Sequence, residues 1–371
     1  MAFSPRNALL LLVSLGLLSV SFSTRAASEN WGVTRVGPML FGAQALNNAG
    51  QVATVDLDPL TGMPRAVVWQ NAALSIIGFL PGGSASGAFG INNLGHVVGT
   101  STAEITDALG NTVLGTRAFV AEKGAMTALE SLPGGVLDDW AYDISDSGYI
   151  VGSSRVASGN RAVMWKDGRV MDLGSSPELD ATDENYSASR VNNGGQAIGS
   201  MWSSSGNFLG FVWTDGKMTD LGEWIPSDIN DSGFVTLTRN FRNADGHLEE
   251  HAGMWQDGYL TDLGTFGGQS ARFNGINQSG QVVGSGRSQS GLDYAFVWNN
   301  GVVRDLNSIA EISMHGVVFT SALSINERGE MLALSNDGFV YLISSVPEPE
   351  TYASLLAGLI CVGAFTRGSR K

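Results

Sequence analysis

The chain has 371 residues, of which 43% are hydrophobic and 15% charged, with 49 glycines, one cysteine and a formal net charge of −14. A single cysteine excludes an intramolecular disulfide. The acidic balance excludes nucleic acid and anionic membranes as ordinary partners, because both need clustered lysine and arginine. Many of the basic residues lie in two terminal segments, namely Arg6, Arg25, Arg367, Arg370 and Lys371.

The first segment in chain order is a leader. Arg6 precedes an apolar run from Ala8 to Leu18, and Thr24-Arg25-Ala26 supplies small residues at the spacing of a signal-peptidase site. Residues 1–27 are therefore predicted to be a secretory signal peptide, cleaved by signal peptidase near Ala26 or Ala27. The apolar run is too short for a comfortable membrane span.

The body, residues 29–344, is a repeat that is anchored on an Asn-Asp-Ser-Gly turn. Such residues dominate tight turns, and apolar residues flank each copy, so each anchor predicts a β-hairpin. The copies recur at intervals of roughly 40 to 50 residues, which is typical of repeat architectures. The anchor residues are Asn47, Asn92, Ser145, Asn192, Asn230, Asn277 and Asn326.

A second hairpin follows each anchor. Its first arm ends in a tryptophan and its turn is often Asp-Gly, as in Lys166-Asp167-Gly168, which is a strong hairpin signal. Four short strands per unit, without helical periodicity, predict an all-β protein that is a β-propeller of four-stranded blades. The recurrent tryptophans are expected to pack between blades; they are Trp69, Trp165, Trp213, Trp255 and Trp298.

Seven anchors predict seven blades, although six or eight stay open because the fifth unit is short at its start. The last unit has a third strand, Phe339 to Ile343, but no fourth. The stretch Trp31 to Gly37 resembles a fourth strand without a hairpin ahead of it. We therefore expect the N-terminal strand to complete the last blade and close the ring, which would remove exposed strand edges.

From Trp31 to Ile343 this pattern resembles the HAF-type extracellular repeat proteins. The resemblance is to the repeat alone, and it brings no catalytic residue.

The connections between the two hairpins of each unit vary in length, whereas the turns are short and uniform. One face of the ring should thus be plain, and the other should carry variable loops of the kind that often bind ligands. Tolerated insertion explains the variation equally well. The connections are Asp56 to Pro64, Ser101 to Thr116, Ser153 to Asn160, Ser200 to Leu209, Thr238 to Glu250 and Ser285 to Asp293.

One short motif matches a zinc-peptidase pattern. His247-Leu248-Glu249-Glu250-His251 has the H-x-x-E-H spacing, which works on a helix. The repeat alignment instead puts His251 at a loop-to-strand junction without a third ligand, so we interpret the motif as an exposed polar loop and predict no metal.

Other candidate residues have simpler interpretations. His96 substitutes for a repeat residue after the turn, and His315 stands alone. Three acidic stretches lack the ligand spacing of an EF-hand and are interpreted as solvated loops, with structural Ca²⁺ as the alternative. These stretches are Asp56-Leu57-Asp58, Asp138-Asp139 and Asp180-Ala181-Thr182-Asp183-Glu184.

The C-terminal segment, residues 346–371, joins a Pro-rich box to a short apolar run and a basic end. The box is Val346, Pro347, Glu348 and Pro349, the run is Tyr352 to Phe365, and the end is Arg367, Arg370 and Lys371. The basic end resists transfer across a membrane, so the segment predicts a transient anchor. Cys361 lies within the run, where a small apolar filler is a commoner role than lipidation.

These C-terminal residues resemble the PEP-CTERM sorting signal of Gram-negative bacteria. The resemblance implies processing by an exosortase in the inner membrane and delivery to the cell envelope, the cell surface or the extracellular matrix, often beside exopolysaccharide production.

The function that the sequence predicts is non-catalytic binding of an exopolysaccharide or a surface protein by the variable loops, without a cofactor. A propeller hydrolase or lyase acting on a matrix polymer is the alternative, but the four histidines supply no obvious catalytic set. Ice binding is a third hypothesis, although only Thr236-Leu237-Thr238 resembles a Thr-x-Thr rank.

Overall fold

The computed structural model describes residues 30–38, 45–106, 111–174, 185–202, 208–243, 245–309 and 316–346, which belong to one compact unit, Asn30–Pro347. Within these residues, 28 strands form seven blades of four antiparallel strands each. The first strands of successive blades contact one another around the ring, so they line a central channel. The predicted seven-bladed propeller is confirmed.

The strands are assigned to the blades in chain order. Blade 1 has β2 (Ala45–Leu46), β3 (Val52–Leu57), β4 (Pro64–Gln70) and β5 (Ala73–Gly78); blade 2 has β6 (Ser86–Ile91), β7 (Val97–Thr106), β8 (Thr112–Glu122) and β9 (Ala125–Ala128); blade 3 has β10 (Gly135–Ile144), β11 (Ile150–Val156), β12 (Gly159–Lys166) and β13 (Arg169–Asp172). Blade 4 has β14 (Tyr186–Val191), β15 (Ala197–Trp202), β16 (Phe208–Thr214) and β17 (Lys217–Gly222); blade 5 has β18 (Ile225–Ile229), β19 (Val235–Arg242), β20 (Leu248–Gln256) and β21 (Tyr259–Gly264). Blade 6 has β22 (Ser270–Ile276), β23 (Val282–Arg287), β24 (Asp293–Asn299) and β25 (Val302–Asp305), and blade 7 has β26 (Phe319–Ile325), β27 (Met331–Ser335), β28 (Phe339–Val346) and the N-terminal β1 (Asn30–Pro38).

The ring closes through β1. It pairs antiparallel with β28 from Asn30 opposite Val346 to Pro38 opposite Phe339, so the N-terminal strand is the fourth strand of blade 7. The guanidinium carbon of Arg35 also lies 3.3 Å from the centre of the Phe339 ring. The predicted closure is confirmed, and it covers the edge that β28 would otherwise expose.

The two hairpins of blades 1 to 6, and the first hairpin of blade 7, have turns that need positive φ. In the second hairpin of blade 3, Asp167 and Gly168 have φ of 52° and 76°, the pattern of a type I′ turn that matches the twist of the arms. The fourth residue of each anchor turn is a glycine, such as Gly280 with φ of 79°. Both kinds of turn lie at the same end of the blades, which we call the turn face.

The anchor asparagines join neighbouring blades as well as forming turns. The Oδ1 of Asn230, for example, accepts the backbone N–H groups of Ser232 and Phe234, while its Nδ2 donates to the carbonyl oxygen of Asn277 in blade 6 at 3.2 Å. Asn326 continues the pattern across the closure, donating to the carbonyl oxygen of Asn47 at 3.0 Å. Bonds of the same kind leave Asn47, Asn92, Asn192 and Asn277.

Blade 3 breaks this pattern because its anchor is Ser145. A serine has no amide to donate, and its Oγ accepts only within its own turn, from the N–H of Tyr149 at 3.1 Å. A second ring of bonds joins residues one position after the anchors, as from the N–H of Asn48 to Oδ1 of Asn93. It crosses the junction of blades 3 and 4 as well, although the donor there is the N–H of Ser147, two positions after the anchor, and the acceptor is Oδ1 of Asn193. The side chain of Asp143 also accepts the N–H of Val191 in blade 4 at 3.0 Å.

The recurrent tryptophans pack between blades, as predicted. Trp165 of blade 3 is 1% exposed and shares a cluster with Val98 and Ala118 of blade 2. Trp69 of blade 1 packs likewise against Leu332 and Val340 of blade 7. Each blade thus buries its third strand against the blade before it.

We predict that Asn277→Ala lowers the free energy of unfolding by about 1 to 3 kcal/mol, because buried backbone groups of two blades lose their partner. Conversely, Ser145→Asn should raise it by about 1 kcal/mol by restoring the missing bond to blade 4. Denaturant unfolding measures both. Asn299→Ala removes an exposed amide from a strand and serves as the control. An equal loss of unfolding free energy in the control would show that the anchor bonds contribute no more than an exposed amide.

A chain that lacks β1, residues 39–346, should have a lower thermal midpoint than residues 28–346 and should self-associate, since the edge of β28 becomes available for pairing. Size-exclusion chromatography and thermal unfolding measure this. Adding a peptide of residues 28–38 should restore both properties, and a deletion that leaves the protein monomeric with an unchanged midpoint would contradict closure by β1.

Candidate ligand site on the loop face

The face opposite the turns, which we call the loop face, carries the connections between second and third strands and those between blades. Two of the predicted variable connections are largely paired strands. β7 and β8 pair as far as Thr106 opposite Thr112, and β19 and β20 pair as far as Arg242 opposite Leu248. The hairpins are extended because their β-branched and alternating residues continue the ladder, so these two connections project as arms rather than as loops.

A cleft opens on this face over blades 5 to 7. Two adjoining cavities of about 490 and 610 Å³ share the side chains of Asn240, Glu250, Arg272 and Asn274. Arg272 and Asn274 belong to β22, a strand that lines the channel, so the cleft continues into the channel mouth. We call this region the loop-face cleft.

The charges around the cleft are paired. Arg272 Nε donates to Glu250 Oε1 at 2.9 Å, and Arg239 binds Glu223 at 2.8 Å. Arg287 binds Asp293 at 2.8 Å, and this ion pair lowers the pKa of the Asp293 carboxyl. A cleft with its charges paired offers hydrogen-bond donors and acceptors without a strong field of either sign.

Aromatic side chains stand exposed beside the cleft. Trp202 and Phe208 come from β15 and β16 of blade 4, are 55% and 42% exposed, and have ring centres 5.9 Å apart. Phe208 also lines the cleft itself. An exposed aromatic pair next to hydrogen-bonding groups offers an apolar platform with a polar border.

A second aromatic surface lies in the channel on blades 2 and 3. The ring centre of Trp140 is 5.8 Å from that of Phe89 and 6.3 Å from that of Tyr142, with interplanar angles of 15° and 21°. All three side chains are partly exposed, whereas Ala141, between two of them in β10, is fully buried. We call Phe89, Trp140 and Tyr142 the aromatic wall.

The channel also holds a charged group nearer the turn face. Asp228 lies 4.0 Å from Arg190, and burial raises the pKa of Asp228 to about 6, against the opposing effect of Arg190. Its side chain is 23% exposed. Both carboxylate oxygens accept backbone N–H groups, one from Ile229 and one from Ile276 of blade 6.

Four of the five residues of the H-x-x-E-H motif, Leu248 to His251, lie in β20, and only His247 precedes the strand. The strand begins earlier than predicted, which corrects the prediction of an exposed loop with His251 at a loop-to-strand junction. β19 extends to Arg242, so the motif from Leu248 onward pairs with it as strand. His251 is only 17% exposed at its side chain. Its Nδ1 lies 3.0 Å from both oxygens of Asp262, its Nε2 lies 3.3 Å from Glu249, and its ring stacks on Phe241 at 5.1 Å.

Two of the acidic stretches are not solvated loops, which corrects that interpretation. Asp139 lies in β10, is fully buried, and accepts hydrogen bonds from Ser131 and Ser154 at 2.5 and 2.6 Å; burial raises its pKa. Asp56 belongs to β3 and binds Arg65 at 2.7 Å. Sequence reasoning took clustered acids for solvated loops because it could not see which strand positions point between blades.

The remaining candidates are few. His96 lies 3.6 Å from Glu122 at its Nδ1, and the Thr236 and Thr238 side chains proposed for ice are buried, so they cannot form an ice-facing rank. Residues outside the described part of the chain include His315, the acidic stretch Asp180 to Glu184, the signal peptide, Cys361 and the sorting segment from Pro347 onward. Within the described ranges no group of three or more His, Cys, Asp or Glu side chains could hold a metal, and no helix is long and apolar enough to cross a membrane.

Sequence reasoning missed the aromatic wall. Its signal was present in part in the repeat alignment, because in blades 2 to 7 the third residue before the anchor lies in the strand that lines the channel, and its type varies strongly between copies. Phe89 and Tyr142 occupy this position in blades 2 and 3, whereas Ser189 and Ser227 occupy it in blades 4 and 5. Variation at one register position, rather than variation in loop length, marked Phe89 and Tyr142, whereas Trp140 lies two residues before Tyr142 in the same strand.

The fold and the cleft define this protein as a seven-bladed propeller with a polar, aromatic-bordered site on its loop face. No protein-family model matches the sequence, and no curated protein does. Solved structures to which this chain is similar at low identity include TolB from Acinetobacter baumannii (10% identity, TM-score 0.41, covering 79% of this chain and 63% of TolB) and an acylaminoacyl peptidase from Pyrococcus horikoshii (10%, 0.46, 81% and 50%). A third is the β-propeller domain of the Trilobed protease from Pyrococcus furiosus (11%, 0.37, 75% and 99%). This chain therefore spans half to about two thirds of the first two proteins.

The His251 cluster predicts a pH-dependent stability. Partial burial lowers the pKa of His251, but the hydrogen bonds and charges of Asp262 and Glu249 outweigh that effect, so the pKa is raised above 6.5. The protonated ring therefore stabilises the fold fully below about pH 6.5, the unfolded value, and this contribution is lost as the pH rises through the folded pKa. The unchanged protein and the His251→Gln variant should therefore differ in free energy of unfolding at low pH, and this difference should shrink as the pH rises.

Denaturant unfolding at several pH values and imidazole titration by NMR measure this effect. Asp262→Asn removes one carboxylate while keeping an acceptor for the N–H of Gly264, and it should move the pKa of His251 downward. A stability difference that is constant with pH would show that His251 stays neutral between its two carboxylates.

Proposed function

We propose that this protein is an exported, non-catalytic propeller that binds an extracellular matrix polysaccharide through the loop-face cleft. The observation that carries the proposal is the combination of the exposed Trp202 and Phe208 rings with the amide, carboxylate and guanidinium groups of the adjoining cleft. Pyranose rings have apolar C–H faces and polar rims, so they match an aromatic platform that has hydrogen-bonding neighbours.

Exposure of the aromatic pair supports a ligand. A ring that is half exposed leaves apolar surface in water, which is unfavourable unless something covers it. The same two strands bury other large side chains well, since Met201 is 1% exposed and Phe211 is fully buried. Trp202 and Phe208 therefore stand outside the core by position and remain available to a partner.

The charge pattern supports a glycan over a polyanion. The paired charges of the cleft create no basic patch, and the chain as a whole carries −14. The leader, residues 1–27, and the segment from residue 346 to 371 support the place of action, since signal peptidase and an exosortase would carry the chain to the cell surface or matrix. A surface protein is the other partner that the loops would fit.

Binding of labelled residues 28–346 to the producing organism's matrix, before and after removal of polysaccharide, tests the proposal. We expect saturable binding that is lost on removal. The double variant Trp202→Ala/Phe208→Ala should weaken binding about tenfold or more, because two stacking contacts are lost. Tyr259→Ala removes an aromatic side chain that is 81% exposed on the turn face, and it should bind normally.

Binding that survives removal of polysaccharide would point to a surface protein as the partner instead. Equal loss in the Tyr259 variant would show that the loop face is not the binding surface.

A propeller hydrolase or lyase is the second candidate, and Asp228 is the observation that favours it. A carboxyl with a pKa of about 6 in a channel is a feature of acid–base sites. Its two oxygens, however, accept backbone N–H groups of blades 5 and 6, which is a structural role. Incubation with matrix polysaccharide should release no new reducing ends or unsaturated sugars; release that disappears in Asp228→Asn would establish the enzyme.

A further inference from the structure

We propose that the aromatic wall is a second subsite, which takes the terminal pyranose residue of a neutral glycan whose following residues lie in the loop-face cleft. This inference rests on the proposed function and deepens it. It concerns Phe89, Trp140 and Tyr142 on one side of the channel and Arg272, Asn274 and Ser321 on the other.

The wall is held in place through the polar edges of its rings. Trp140 Nε1 donates to Asp138 Oδ1 at 2.8 Å. The Tyr142 hydroxyl bonds to the side chains of Ser153 and Ser187, and burial raises its pKa, so it stays protonated at neutral pH. With their edges engaged and their planes within 15° to 36° of one another, the rings keep a fixed orientation before any ligand arrives.

Glycine leaves room beside the wall. A Cβ at Gly87 would lie 3.1 Å from the tip of the Phe89 ring, so that ring lies back against the strand that carries it. A Cβ at Gly90 would lie 2.9 Å from the Cα of Asp143, so blades 2 and 3 approach each other closely below the rings. The two glycines therefore allow the Phe89 ring to lie over Gly87 and allow blade 3 to approach blade 2 closely at Gly90.

The opposite side of the channel is polar. In a ring of seven, blade 6 lies across from blades 2 and 3, and its strand β22 presents Arg272 and Asn274. Asn274 Nδ2 donates to Ser321 Oγ of blade 7 at 3.1 Å, and Arg272, Asn274 and Ser321 line the same cavity. One aromatic side and one hydrogen-bonding side together match the two kinds of surface on a pyranose ring.

The closed ring selects a chain end. A polymer cannot enter a closed channel sideways, so only a terminal residue can reach the aromatic wall from the loop face. Arg272 and Asn274 line both the channel and the loop-face cleft, which makes the two subsites continuous. Deeper in the channel, the carboxyl groups of Asp143 and Asp228 accept backbone bonds and disfavour an anionic sugar.

The test uses residues 28–346, which contain every strand of the closed ring, and the producing organism's matrix polysaccharide separated by anion exchange into neutral and acidic fractions. The neutral fraction is used intact and as fragments of about six residues. We expect the unchanged protein to bind the fragments and the Trp140→Leu variant to bind them about tenfold more weakly. The Trp140→Phe variant should lose less affinity, because the smaller ring retains part of the stacking. At equal mass, the intact polymer should bind more weakly, in proportion to its fewer ends.

The variants separate this inference from the proposed function. Thermal midpoints close to that of the unchanged protein show that Trp140→Phe and Trp140→Leu fold, and Tyr259→Ala is the control for an aromatic deletion outside the site. One contrary result is that the two Trp140 variants bind fragments normally while the Trp202→Ala/Phe208→Ala variant loses binding. That result would overturn the channel subsite and would support binding in the loop-face cleft alone. Binding of the acidic fraction alone would overturn the neutral ligand, and an unchanged protein that binds neither fraction would overturn both proposals.

Discussion

The structure depends on the side-chain amide of the anchor asparagine. A buried amide has to satisfy a carbonyl oxygen and an NH₂ group, and this residue does so by joining two blades: its oxygen forms the turn of its own blade, and its nitrogen reaches the turn of the next. Each bond adds only about 1 kcal/mol, but leaving the group unpaired costs more. The turn and the blade interface therefore form together, and a turn of the wrong shape would leave a buried polar group unpaired in the neighbouring blade.

This coupling explains why the turn face is uniform while the loop face varies. A residue inserted on the turn face would displace an amide from the adjacent blade, at a cost in buried polar groups. An insertion on the loop face lengthens a hairpin that contacts solvent, as β7 and β8 do, and disturbs none of these bonds. The scaffold thus tolerates insertions mainly on the loop face, where the loop-face cleft lies.

Much of the fold could be predicted because the repeat is visible in local chemistry. The spacing of the anchors gave seven blades, and the Trp31 to Gly37 strand without a hairpin of its own gave the closure. The anchor asparagine, however, was interpreted as a turn residue alone, since a single sequence does not show which residue of the next copy its amide will meet. The burial of Asp139 could not be predicted for the same reason, because a single sequence does not show which distant residues a side chain contacts. Its partners Ser131 and Ser154 precede and follow it by 8 and 15 residues.

The residues of the candidate site were less predictable than the fold, because their grouping depends on how far along the channel each side chain lies. Variation in loop length indicated the loop face, and one of the variable connections, Ser200 to Leu209, includes Trp202 and Phe208. Phe89 and Tyr142 of the aromatic wall required a different comparison, that of a single register position across blades. At this position the inner strands of blades 2 to 7 each have a bulge, which changes which residue faces the channel. Period-two alternation fails at a bulge, so Tyr142 and Asp143 both face inward although they are neighbours in sequence. The residues of the proposed glycan site therefore lie where the local pattern that identifies the fold is interrupted.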